Sequence, residues 1–308
     1  MEKSASGWLN GFIGVAIFAG SLPATRVAVT AFEPTFLTCA RATIAAMLGA
    51  LFLIVLRQPR PKRGDLSPLA VTALGVVIGF PLLTAFALQH ITSAHSIVFV
   101  GLLPLCTAVF AVLRGGERPR PLFWLCSLTG AGLVVGYALM NGGEASAVGD
   151  LLMLAAVVVC GLGYAEGARL SRTLGGWQVI SWALLVALPV MLLLTVVNLP
   201  APDDFARVSA PAWLSFGYVS LFSMLIGFVF WYRGLVQGGI AAVGQLQLFQ
   251  PFMGLGLAAL LLHEHVSWTM LLVTLGLSSV FTGPGNMPKH SVMPSQTVGY
   301  SPRRLTPG

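Results

Sequence analysis

The stretch PFMGLGLAALLLHEH, residues 251–265, ends in a glutamate between two histidines. Such a trio is the raw material of a metal site or an acid–base centre. Its spacing argues against both. His263 and His265 are two residues apart, about 200° around a helix, and cannot offer both rings to one metal as an i, i+4 pair does. His90 and His95, five apart, face different directions as well. The chain contains no HExxH, no GxGD aspartate and no GxxxxGK[ST] phosphate loop, and no serine has a histidine placed to activate it. No metal or other cofactor is expected, and catalysis is not the leading expectation.

The remaining polar groups suit recognition better than bond-making. Gln245, Gln247 and Gln250 lie in one apolar run just before Pro251. In a helix Gln247, Gln250 and Gly254 share a face, so the amides either bind a polar solute or tie helices together. Ser21, His95, Phe99, Tyr164 and Trp231 are further candidates for lining a cavity, Trp231 equally for an interfacial aromatic belt. Ser220, Ser223 and Gly227 form a stripe of small residues that reads more as helix packing. Glu166 lies within an apolar run. Burial favours the neutral form of a carboxyl, so it could carry a coupling proton; the alternative is an i, i+3 pair with Arg169. Arg26 and Arg41 could attract an anionic group such as a carboxylate, or pair with Glu33 and snorkel.

Those residues must be held by an unusual chain. Of 308 residues 56% are hydrophobic and only 9% charged, against roughly 25% charged in a soluble domain. Hydrocarbon accepts such a composition, because a helix satisfies its own backbone. A helix crossing the bilayer core needs about 20 apolar residues. Ten candidate spans result, numbered 1 to 10 here, at about 8–31, 34–56, 68–88, 92–113, 122–140, 149–170, 177–198, 212–236, 240–262 and 266–283. The turns between them are short and rich in Gly, Pro and charge, and the tail 284–308 is polar and expected to be disordered. Cys39, Cys106, Cys126 and Cys160 all lie in apolar runs without CxxC spacing, which excludes neither burial nor packing but gives no disulfide or zinc framework.

The cations test this count. With the N-terminus inside, the inner segments hold Lys3, Arg57, Arg60, Lys62, Arg63, Arg114, Arg118, Arg120, Arg169, Arg172, Arg233, Lys289, Arg303 and Arg304, which is 14 of the 17. The expectation is therefore a multi-pass protein of the cytoplasmic (inner) membrane with both termini cytoplasmic. The net charge of +7 follows from this asymmetry, so no nucleic-acid partner is expected.

The halves echo one another. Pro104 lies 147 residues before Pro251, and Glu117 lies 147 before Glu264. Each mid-span proline precedes its glutamate by 13 residues, so the prolines are candidate hinges and the glutamates candidate turn residues. Glu264 is expected to cap span 10, and Glu117 span 5. Five spans per half turn the second copy upside down, as in an inverted-repeat transporter.

Here the chain resembles a known family. The segments FALQHITSAHSIVFVGLLPLCTAVFAVLRGGERPRPLFWLCSLTGAGLVVGY (86–137) and YRGLVQGGIAAVGQLQLFQPFMGLGLAALLLHEHVSWTMLLVTLGL (232–277) are similar to the domain ends of the drug/metabolite transporter superfamily, EamA type, and Arg41 in CARAT matches the arginine common in that family's second span. LLLHE departs from the pattern, since it lacks the glycine usual before the second glutamate. The resemblance implies an all-α integral membrane protein of ten helices, arranged as two inverted five-helix repeats (1–140 and 149–283) around a central cavity lined by spans 1, 3, 4, 6, 8 and 9. It implies a secondary transporter, with an exporter of small polar metabolites such as amino acids as the first expectation and efflux of lipophilic drugs as the alternative. Its partners would be a small-molecule substrate and membrane lipid, with proton coupling an option and the protein a monomer or homodimer. An intramembrane enzyme or a scaffold ranks below these.

Overall fold

The computed structural model describes residues 2–115, 146–238 and 245–282, together with Thr129, Gly132, Leu133, Gly136 and Val243. Seven helical stretches are long and apolar enough to cross a membrane. They are Ala5–Ala28, Pro34–Val55, Arg63–His90, Ser93–Arg114, Ala147–Leu174, Gly176–Val197 and Ala210–Gln237, which correspond to spans 1–4 and 6–8. Span 9 is shorter, a 3₁₀ turn Gln245–Phe249 leading into a helix Gln250–Leu262. Span 10 is a helix over Trp268–Thr282. Span 5 falls outside the described residues except for Thr129, Gly132, Leu133 and Gly136, all helical. Among the described residues, ten expected crossings therefore stand as seven long helices and two shorter ones.

Local chemistry sets the ends. Glu33 caps span 2 by accepting from the Phe36 N–H at 2.8 Å, and Pro34 occupies the first turn, where no N–H is needed. Thr92 caps span 4 through the His95 N–H. A single residue, Gly175, with φ +95°, joins spans 6 and 7. That backbone region is open to glycine and strained for other residues. Ile54, Leu214, Leu260 and Trp268 project outward, as a lipid-facing surface requires.

Several spans are interrupted rather than continuous. Span 1 breaks at Gly20 between Glu2–Ala19 and Ser21–Ala28. Span 3 widens to a π-helix over Ala73–Gly79, and span 8 does the same over Val219–Ile226. Span 4 breaks at Gly101–Leu102, and its second helix, Leu103–Gly115, carries Pro104 as its second residue. Pro251 is likewise the second residue of Gln250–Leu262. A first-turn proline costs no hydrogen bond. Both prolines thus start a new helix after a break, where a kink within one continuous helix was expected.

Packing pairs the spans crosswise. Span 1 lies along span 8, span 6 along span 3, and span 2 along span 7; span 4 follows span 6, and span 9 leans on span 1. Two contacts leave no room for side chains. A Cβ on Gly75 of span 3 would come within 2.7 Å of the Gly163 Cα of span 6, and one on Gly234 of span 8 within 2.6 Å of the Gly11 nitrogen of span 1. Small residues of this kind are what lets membrane helices approach closely. Gly163→Val should therefore destabilise the protein by about 1–3 kcal/mol through overpacking. Gly256→Ala, which meets nothing within 4 Å, should leave the melting temperature in detergent unchanged.

Candidate functional site

Where the interruptions meet, the helices part around a cavity. Span 1 contributes Phe18, Ser21, Leu22 and Thr25, span 2 Arg41, and span 3 Val76, Phe80, Pro81 and Thr84. Leu103 of span 4, Cys160 and Tyr164 of span 6, Ser223, Met224 and Phe228 of span 8, and Gln250 of span 9 complete the wall. Val76, Ser223 and Met224 sit in the two π segments. A π turn shifts side chains off the α register, a recurrent feature of functional sites.

Arg41 is the one charged side chain among the described residues lining this space. It is 5% exposed, its Nη2 donates to the Ser223 Oγ at 3.2 Å, and its buried Nε has no hydrogen-bond partner. Ser223 also shares a 2.7 Å hydrogen bond with Ser21. Ser223 was expected in helix packing; it lies in a polar chain at the cavity wall because the π segment redirects it. Thr25 donates to the Ser21 carbonyl and Thr84 to the Phe80 carbonyl. Both hydroxyl protons are thus spent on the helices, leaving acceptor lone pairs. The Gln250 Oε1 is buried without a partner.

The other candidates fall elsewhere. Gln247 is buried with its Nε2 unpartnered but is outside the cavity lining, and the Gln245 side chain is outside the described residues. Trp231 is 2% exposed, packed near Phe18 and Tyr164, so it is no part of an interfacial belt. Arg26 donates through Nη1 to the Leu88 carbonyl near the end of span 3. Glu33, one of the two partners considered for it, instead caps span 2.

His95 and Glu166 mark two ends of one helix pair. The His95 Nε2 lies 2.7 Å from an Asp150 oxygen, and Phe99 packs against the imidazole. Glu166, 1% exposed, meets the Arg114 Nε at 2.5 Å as well as the Arg169 Nη2 at 3.0 Å. The local Arg169 pair was legible in the spacing; Arg114 was not, since it comes from span 4. Both links join span 4 to span 6, start to start and end to end. The two spans therefore run parallel.

Glu264 is a turn residue, but the expected helix is corrected. Its carboxylate accepts from the Ser93 and Ala94 N–H groups at 3.1 and 2.7 Å and from the Ser93 hydroxyl at 2.7 Å. It thus caps span 4, whose exposed N–H groups carry the positive end of the helix dipole, while span 10 starts with Ser267 accepting from Met270. The preceding residue explains the unusual LLLHE. His263 ends span 9 with φ +52°, left-handed backbone that favours glycine. Glu117 lies outside the described residues.

Comparison with known proteins identifies the lineage. The EamA-like transporter family matches residues 5–141 and again 147–282. The chain belongs to the EamA-like transporter family. It is 64% identical over 277 residues to "Uncharacterized transporter YdeK" of Bacillus subtilis (strain 168), covering 90% of this chain and 96% of that one. It is 25% identical over 256 residues to a "Probable terminal-alkyne amino-acid exporter" of Streptantibioticus cattleyicolor, covering 82% and 84%. A solved crystal structure shares the fold with a TM-score of 0.64 at 22% identity, over 90% of this chain and 96% of that one. The protein is accordingly an integral membrane transporter.

Two substitutions at the Glu264 turn should act oppositely. Glu264→Ala strands two helix N–H groups and should cost about 1–2 kcal/mol. His263→Gly relieves the left-handed strain and should add up to about 1 kcal/mol. Thermal unfolding of both variants in detergent checks the pair.

Proposed function

We propose that this EamA-family transporter exports small polar metabolites, amino acids first among them, across the cytoplasmic membrane by alternating access. The observation that carries this reading is a cavity walled by both family-matching segments, whose lining residues Arg41 and Gln250 hold a buried guanidinium nitrogen and a buried amide oxygen without hydrogen-bond partners. Unpaired polar groups at bilayer depth are costly and point to a ligand or pathway. The architecture we read is two inverted five-helix repeats, 1–140 and 149–283, with ten spans and both termini cytoplasmic. Its support is the crosswise packing, in which exchanging spans 1, 3 and 4 with 6, 8 and 9 maps the 1–8 contact onto 3–6 and the 4–6 contact onto 1–9, while 2–7 pairs the matching second spans of the two halves. The parallel run of spans 4 and 6 adds to it.

Amino acids are favoured by the pairing of a cationic donor with neutral acceptors, and the distant relative named as an amino-acid exporter points the same way. Lipophilic efflux is the second reading, favoured by Phe18, Leu22, Met224 and Phe228 in the same wall. Proton coupling stays attached to Glu166 in this proposal, although two arginines already engage it.

Counterflow in proteoliposomes at two pH values tests the proposal. Vesicles loaded with an unlabelled amino-acid mixture should accumulate labelled amino acid transiently, and protein-free vesicles should not. Exchange of lipophilic dyes alone would select the second reading, and no exchange of any solute would sink both.

The breaks before Pro104 and Pro251 are the proposed hinges. The double variant Pro104→Ala, Pro251→Ala lets each helix run on, and should lower exchange at least tenfold with folded yield preserved. Exchange at the wild-type rate would remove the hinges from the mechanism.

A further inference from the structure

The transport proposal leaves open what the cavity recognises. Arg41 is more than nine-tenths buried, and no carboxylate is among the described residues that line the cavity with it. Ser223 occupies only one guanidinium nitrogen, and the buried Nε is unpartnered. A buried cation without a counter-charge is costly, and an anionic ligand group would supply both the charge and the missing hydrogen bond. The opposite chemistry lies in the same wall. Thr25 and Thr84 have spent their protons on backbone carbonyls, and the Gln250 Oε1 has no donor. Three acceptors without donors suit an ammonium group. Phe18 and Phe228 add an apolar surface to the same wall.

We infer that the cavity is a binding site for a zwitterion with an apolar side chain, its carboxylate held by Arg41 and its ammonium by Thr25, Thr84 and Gln250. The inference rests on the transport reading and narrows it to one substrate class. Arg41 is then the selectivity residue: a ligand whose carboxylate is blocked meets a buried guanidinium with its own positive charge and is excluded. Blocking the ammonium removes acceptor contacts only, and weakens binding less.

The test uses the full chain in proteoliposomes, with labelled leucine, methionine and phenylalanine followed in turn by counterflow. Excess N-acetyl-leucine and leucinamide serve as competitors that keep the carboxylate or the ammonium alone. At least one labelled amino acid should exchange, N-acetyl-leucine should compete, and leucinamide should compete at least tenfold more weakly. Arg41→Gln should lose exchange at least tenfold, Arg41→Lys should keep a part of it, and Gln250→Leu should weaken it with the melting temperature unchanged. Should Arg41→Gln fail to fold, the competition between the two leucine derivatives on the wild-type protein still decides. Leucinamide competing as well as N-acetyl-leucine, or dyes exchanging while all three amino acids do not, overturns the inference and leaves the transport reading standing. No exchange of any solute overturns both.

Discussion

Hydrocarbon offers no water to replace a lost backbone hydrogen bond, so a membrane helix can break only where protein or an aqueous cavity supplies new partners. The interruptions of this chain obey that constraint by gathering around one place. Gly20, the two π segments and the breaks before Pro104 and Pro251 all border the cavity or adjoin residues that do. Freed groups find side-chain partners. Just before the Gly20 break, the Tyr218 hydroxyl donates to the Ile17 carbonyl at 2.6 Å. Arg26 reaches the Leu88 carbonyl at the end of span 3. A broken helix is thus the means by which Ser21, Ser223 and Gln250 come to face one space.

The same economy of partners shapes the two ends of the helix pair formed by spans 4 and 6. His95 with Asp150, and Arg114 with Glu166 and Arg169, lie at opposite ends of those spans. At about 1.5 Å per residue the separation is about 24 Å along span 6 and about 28 Å along span 4. Glu264 adds a third tie by drawing the end of span 9 onto the start of span 4. Span 4 is therefore fastened at both ends and broken in the middle. An element built so can bend at Gly101–Leu102 without leaving its neighbours, the geometry a hinge requires.

Much of this was legible in the residues, and the reasons differ from case to case. Span positions followed from apolar run length, because the bilayer thickness fixes the length of a crossing helix. The Glu166–Arg169 pair followed from i, i+3 spacing. Arg114 escaped, since no periodicity links residues 52 apart. Ser223 was assigned to packing on α-helical spacing, and a π segment moved it; no simple sequence signal marks that segment, as span 8 has no proline beside it. The missing glycine before Glu264 did point to something real, the left-handed backbone at His263.

The sequence alone determined class, span order, family and the repeated proline–glutamate spacing, because each depends on hydrophobicity, charge or spacing along one chain. Only the tertiary structure decided which polar groups share a cavity and which are consumed as structural ties. Arg26 and Arg41 are both cations in neighbouring spans, and nothing in their spacing separates them. One bonds a helix end, and the other keeps a nitrogen free at the cavity wall. That difference is set by the partner that long-range packing brings within hydrogen-bonding distance.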